Sequence, residues 1–91
     1  MIGKFVIIRS YAAGVHCGTL THKNGKEVTL ENARRVWYWR GANTLHEMSQ
    51  KGISADSKVS EPVPQIVIHE AEETIPCSNI AMKNLTESRW N

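Results

Sequence analysis

The amino-acid sequence predicts an α+β domain that is mainly β: a compact small barrel or sandwich of five to six mostly antiparallel strands with one or two short helices. Three observations carry this. Short runs of β-branched and aromatic residues recur along the chain, separated by Gly, Asn and Pro. One pair of runs is joined by Asn24-Gly25, the strongest short-range hairpin signal. Only two stretches, opening at Thr44 and at Ser78, carry helix-capping residues. At 91 residues the chain is a single domain, 1–91, that buries only about 60–65% of its unfolded surface, so its stability is modest unless it oligomerises. A content of 41% hydrophobic and 22% charged residues excludes a disordered tail and a disulfide-dense scaffold.

The elements follow in order. Lys4 to Ser10 is a strand, followed by the small-residue loop Tyr11-Ala12-Ala13-Gly14. Val15 to Lys23 and Lys26 to Leu30 form the hairpin, with a type I′ turn that needs positive φ at both Asn24 and Gly25. Glu31-Asn32 reads as a further turn before a strand over Arg34 to Arg40. Thr44-Leu45-His46-Glu47 is a capping box and Gly52 a left-handed stop, which gives a short helix over 45–51. Residues 53–64 are rich in Ser, Asp, Lys and Pro and lack periodicity, so a mobile loop that gates a ligand is expected there, with Val59 pairing briefly. Gln65 to Thr74 reads as the last long strand. Its apolar phase shifts midway, which signals a bulge or a change of neighbour, and Pro76 ends it. Ser78 caps a final helix with Ile80, Ala81, Asn84 and Leu85 on one side, and Trp90 folds back as a C-terminal anchor.

Arg34-Arg35-Val36-Trp37-Tyr38-Trp39-Arg40 concentrates aromatic rings and positive charge in seven residues. On a strand, Arg35, Trp37 and Trp39 share one face and Arg34, Val36, Tyr38 and Arg40 the other. Adjacent indoles must be covered by core, by another subunit or by a ligand. Guanidinium groups pair with phosphates and aromatic faces stack on bases, which makes Arg34, Arg35 and Arg40, with Tyr11, Trp37 or Tyr38 as stacking rings, candidate ligand-binding residues. The alternative places both tryptophans in the core and leaves the arginines exposed and idle.

The net charge is only +2, too low for a protein that neutralises many backbone phosphates, and this disfavours DNA or RNA as partner. A small anionic nucleotide needs only two or three cations and one ring. Residues 1–51 carry +5 and residues 52–91 carry −3. Such halves either interleave within one domain or support a head-to-tail contact between copies, and a homo-oligomer is expected. Cys17 and Cys77 read as buried reduced thiols in a cytoplasm, and no apolar run approaches the roughly 20 residues needed to span a bilayer.

Chemistry is thin. His69-Glu70 with Pro76-Cys77 fails the zinc deaminase pattern, because the glutamate is one residue too near and no second cysteine follows. His16-Cys17 are neighbours whose side chains diverge on a strand, so a structural histidine beside a core cysteine is the simpler reading than a zinc site. Nothing local lowers either thiol pKa. No enzyme, metal or cofactor is expected.

Gly18-Thr19-Leu20, Gly25-Lys26-Glu27-Val28, Ala33-Arg34-Arg35 with Trp37 and Trp39, Gly41-Ala42, Leu45, Pro62-Val63-Pro64, Ile75-Pro76-Cys77 and Trp90 together resemble a family of small uncharacterised proteins of tailed bacteriophages. The resemblance covers nearly the whole chain and assigns no catalytic residue. It implies the cytoplasm of the host cell and an accessory role: countering host defence, binding a host protein or decorating a virion. Two functions are therefore expected as alternatives. One is capture of a nucleotide-type signalling molecule. The other is a protein–protein interaction through the Arg/Trp face, since Arg and Trp are favoured hot-spot residues.

Overall fold

The structure, a computed structural model, describes residues 1–90. It contains β1 (Phe5–Ser10), β2 (Gly14–Asn24), β3 (Glu27–Tyr38), α1 (Leu45–Lys51), β4 (Lys58–Val59), β5 (Val63–Ile68), β6 (Glu73–Pro76) and α2 (Asn79–Glu87). The strands form one antiparallel sheet in the order β4-β3-β2-β1-β6, with β5 paired to β3 beside that path. The sheet does not close into a barrel. A sandwich-like arrangement results, because each face of the sheet is covered by a different part of the chain.

On one face Val6, Ile8, Leu20, Val28, Leu30, Ala33 and Ile68 form a core that Ala71 joins from the β5–β6 link. That link is tied at both ends: the Ala71 amide donates to the Lys26 carbonyl at 2.8 Å and the Glu72 amide to the Arg9 carbonyl at 2.9 Å. On the other face Ile7, Cys17, Val36 and Val59 pack with Met48, Ile53 and Leu85, brought by α1, α2 and the segment after α1. Alternation along β1 explains the split, since Ile7 and its neighbours Val6 and Ile8 point to opposite sides.

The hairpin forms one residue later than its turn signal suggests. Asn24 pairs with Glu27, so Gly25 and Lys26 are the central residues and only Gly25 has positive φ, +62°. One left-handed residue suffices in this II′-like geometry, and glycine supplies it without strain. Asn32 likewise opens no turn. With φ of +51° it is a bulge within a continuous β3, accepted because asparagine tolerates the left-handed region. The pairing of β3 with β2 shifts by one residue there, between Cys17↔Arg34 and Thr19↔Glu31. This bulge reverses the phase of β3. Val28 and Leu30 face one core, while Arg34 and Val36 face the other.

The 65–74 stretch is two strands, and a change of neighbour is what the phase shift records: β5 pairs with β3, and β6 pairs with β1. Residues 53–64 contain β4, as expected for Val59. They are tied to β3 and to the segment that follows it by Ser54 N–H to the Arg40 carbonyl at 2.8 Å and Ser60 N–H to the Arg35 carbonyl at 2.9 Å.

Both helices are capped as read. The Thr44 hydroxyl accepts from the Glu47 amide at 3.1 Å, while the Glu47 carboxylate accepts from the Asn43 amide at 2.7 Å. The Asn43 amide, with Lys51, holds the Glu47 carboxyl below its ordinary pKa. Gly52 has φ of +82°, and a Cβ there would meet the Asn84 side chain at 2.3 Å, so α1 and α2 approach only through a glycine. Asn84 uses that approach to bond both the N–H and the C=O of Ile53. In α2, Ala81 and Leu85 are buried, but Ile80 is 71% exposed and does not share their side. Both cysteines are free; Cys17 is buried and Cys77 half-buried. Burial pushes the thiols up, to about 12 for Cys17 and about 11 for Cys77. No helix among the described residues is long and apolar enough to cross a membrane.

Candidate functional site

The bulge at Asn32 separates the two adjacent arginines. Arg34 turns inward and is 7% exposed. Its Nε donates to the Ser60 carbonyl at 2.8 Å, Nη1 to the carbonyls of Leu85 and Thr86 at 2.8 and 2.9 Å, and Nη2 to that of Ser88 at 2.7 Å. The last three are carbonyls at the end of α2 that lack intrahelical partners. The last turn of α2 has no basic residue of its own. Arg34 thus caps α2 from the sheet, placing positive charge at the negative end of the helix. Burial lowers its pKa, but the group stays a cation because its starting value is so high.

Arg35, one residue on, is exposed, and its guanidinium makes no hydrogen bond or ion pair among the described residues. Arg40 is exposed and paired with Asp56 at 3.3 Å. Of the three predicted phosphate ligands, the structure therefore gives one to the scaffold, one to a surface ion pair and one to solvent.

The aromatic candidates divide in the same way. Trp37 is 62% exposed and stacks on Trp90, itself 54% exposed, with ring centroids 5.3 Å apart. The Lys58 ammonium lies 5.7 Å from the Trp90 ring centre, a cation–π distance. Trp39 is half-buried against the core beneath α1 and α2. Tyr11, at 93% exposed, stands on the β1–β2 loop. Tyr38 is exposed beside Lys58, its partner on β4. Exposed rings and half-buried ring thus coexist in one segment, and neither all-core nor all-surface describes it.

These residues frame a groove. Its β2–β3 pairing ends at His16↔Arg35, and beyond that pair the start of β2 and the end of β3 part. The opening, about 340 Å³, is walled by Tyr11 on one side and by Trp37 and Trp39 on the other, with Ala13, Val15 and Arg35 between them. Both walls are pinned. In the loop, the Glu72 carboxylate accepts from the Tyr11 amide, the Ser10 hydroxyl from the Ala13 amide at 3.3 Å, and His16 Nε2–H donates to the Ala13 carbonyl at 2.8 Å. On the other wall the Arg35 amide donates to Ser60 Oγ at 2.8 Å and the Arg40 amide to Ser57 Oγ at 3.0 Å. His16 is buried, which pulls its pKa down, and the nearby Arg35 acts in the same sense. It stays neutral and structural near pH 7.

Sequence reasoning missed two members of this surface, Lys58 and Glu72. Lys58 is brought in by pairing of β4 with β3 and Glu72 by the β5–β6 link, so neither position is announced by its neighbours in sequence. Among the described residues no group of three or more His, Cys, Asp or Glu is placed to hold a metal ion.

Comparison with known proteins gives a family and little else. No curated protein and no solved structure matches the chain. A domain of unknown function, DUF6948, matches residues 3–85, which spans every strand and all of α2 but its last two residues. The chain belongs to the DUF6948 family.

Proposed function

We propose that this chain is a non-catalytic protein-interaction module whose contact surface is the groove of Tyr11, Arg35, Trp37 and Trp39 with the Trp37–Trp90 stack at its rim. One observation carries the reading: large aromatic rings stand exposed on pinned backbone around a guanidinium that has no partner among the described residues. Preorganised Trp, Tyr and Arg are what interface hot spots are made of, since they bury much area at little cost in conformational freedom. The motif order that resembles tailed-phage proteins supports the wider setting, an accessory protein acting in the host cytoplasm on a host or virion protein.

Nucleotide capture is less well supported by this geometry. A nucleotide phosphate asks for two or three convergent cations, and Arg34 and Arg40 are engaged elsewhere. The groove is also open rather than enclosing, and it offers few convergent polar groups.

The test is site-specific photo-cross-linking from a reactive residue placed at position 11 in the native host. The expected result is a discrete protein adduct that disappears with Arg35→Ala. An adduct indifferent to Arg35 and Trp37, or stoichiometric nucleotide released on heat denaturation of the purified protein, overturns the reading.

A further inference from the structure

We propose that the cleft between α2 and the bulge of β3 binds a small carboxylic acid with an apolar body, held as its carboxylate beside Arg34. The site is separate from the groove of Tyr11 and Trp37 and shares no lining residue with it.

The cleft follows from how the elements meet. Phe5 pairs with Thr19 across β1 and β2, Thr19 pairs with Glu31 on β3, and the bulge follows at Asn32. Over this end of the sheet α2 brings Met82 and Thr86, which lie one turn apart, and Pro62 leads in from the segment before β5. An opening of about 340 Å³ remains between them, the size of a small ligand pocket and more enclosed than the groove. Its lining is of two kinds. Phe5, Pro62 and Met82 supply apolar surface, while Thr19, Asn32 and Thr86 supply two hydroxyls and an amide that have no hydrogen-bond partner among the described residues.

Arg34, the remaining member of the lining, points to an anion. Buried charges are ordinarily paired. Arg34 is only 7% exposed, yet its hydrogen bonds all go to uncharged carbonyls, and no carboxylate among the described residues comes within ion-pair distance of it. The helix end that it caps offsets only about half an elementary charge. The Arg89 guanidinium acts in the opposite sense, adding to burial in lowering the Arg34 pKa. Positive charge is thus left uncompensated beside the cleft. A donor is left as well, because a guanidinium carries five N–H groups and the Arg34 bonds engage four.

A carboxylate answers both needs. It neutralises the charge, and its two oxygens can accept from the spare N–H, the hydroxyls and the Asn32 amide. An inorganic anion would leave Phe5, Pro62 and Met82 unused, and a neutral apolar molecule would leave Arg34 without a counter-charge. A flat ring suits the apolar part, since Phe and Met side chains both make favourable contacts with aromatic rings.

The experiment is an NMR titration of the full chain with phenylacetate and, in parallel, with its neutral isostere phenylacetamide. Phenylacetate is expected to shift the amide signals of Phe5, Thr19, Asn32, Met82 and Thr86, and phenylacetamide to bind about tenfold or more weakly. Two variants at the exposed position 86 separate charge from shape. Thr86→Asp supplies a carboxylate from the chain itself and is expected to weaken phenylacetate binding by about tenfold or more, whereas Thr86→Asn, of nearly the same shape, should retain it. No shift at millimolar phenylacetate, equal binding of acid and amide, or shifts at Tyr11, Arg35 and Trp37 in place of the cleft residues overturns the proposal. Equal binding to the two variants overturns it too. The comparison of acid with amide uses the wild-type chain alone, so it decides even where a substitution disturbs the fold.

Discussion

Arg34 and Arg35 are chemically identical neighbours that do opposite things. The side of β3 that carries Arg34 and Val36 is closed by α2, and there a cation is surrounded by carbonyls. The side that carries Arg35 and Trp37 is open, and there a cation and a ring meet solvent. One extra residue, Asn32 in its left-handed conformation, sets which arginine goes to which side. The comparison teaches that the scaffold and the candidate site are built from a single seven-residue run, and that its phase, rather than its composition, assigns the roles.

The largest effect belongs to the closed side. Arg34→Met keeps the length of the side chain and removes the donors, leaving the last carbonyls of α2 without their partner. A loss of about 3 kcal/mol is expected in denaturant unfolding. Arg34→Lys should recover little of this, since one ammonium cannot reach carbonyls that a planar guanidinium spans.

The bulge comes next. Asn32→Val places a β-branched residue at positive φ and should cost about 1–2 kcal/mol, whereas Asn32→Gly should be tolerated far better. Equal losses in the two variants would show that the side chain and not the backbone conformation matters at this position. On the open side, Trp37→Ala removes the stack on Trp90 and should lower stability by only about 1 kcal/mol. Its main consequence is expected in binding, read by cross-linking from position 11.

The smallest effect joins the two sides through pH. His16 supports the Tyr11 loop in its neutral form, and burial lowers its pKa below the usual 6.5. The unfolded chain therefore binds this proton more readily than the folded one. The stability His16 contributes is complete above pH 6.5 and declines as pH falls through that value towards the folded pKa. NMR titration of the His16 ring should show a midpoint below 6.5, and a midpoint above it would reverse the sign.

What was legible in the sequence is local. The capping box at Thr44, the stop at Gly52, the cap at Ser78 and the hairpin around Gly25 each depend on residues within a few positions of one another, and the structure holds all four, the hairpin with its turn moved by one residue. The phase shift in 65–74 was also readable, because side-chain alternation records which core a strand faces. Arg34 was not. Three of its four partners lie 51 to 54 residues further on, at the end of α2, and nothing near it in sequence announces them. Asn32 reads as a turn in the sequence because left-handed asparagine serves turns and bulges alike, and only the partner strand tells them apart. The exposed groove shares this origin, since Tyr11, Arg35 and Lys58 come together only when the sheet forms.

The most direct test sets Arg34→Ala beside Arg35→Ala in one denaturant unfolding experiment. The account predicts a large drop in the unfolding midpoint for Arg34→Ala and a change within about 0.5 kcal/mol for Arg35→Ala. Equal losses, or a larger loss for Arg35→Ala, would contradict the division of the strand into a structural side and a binding side.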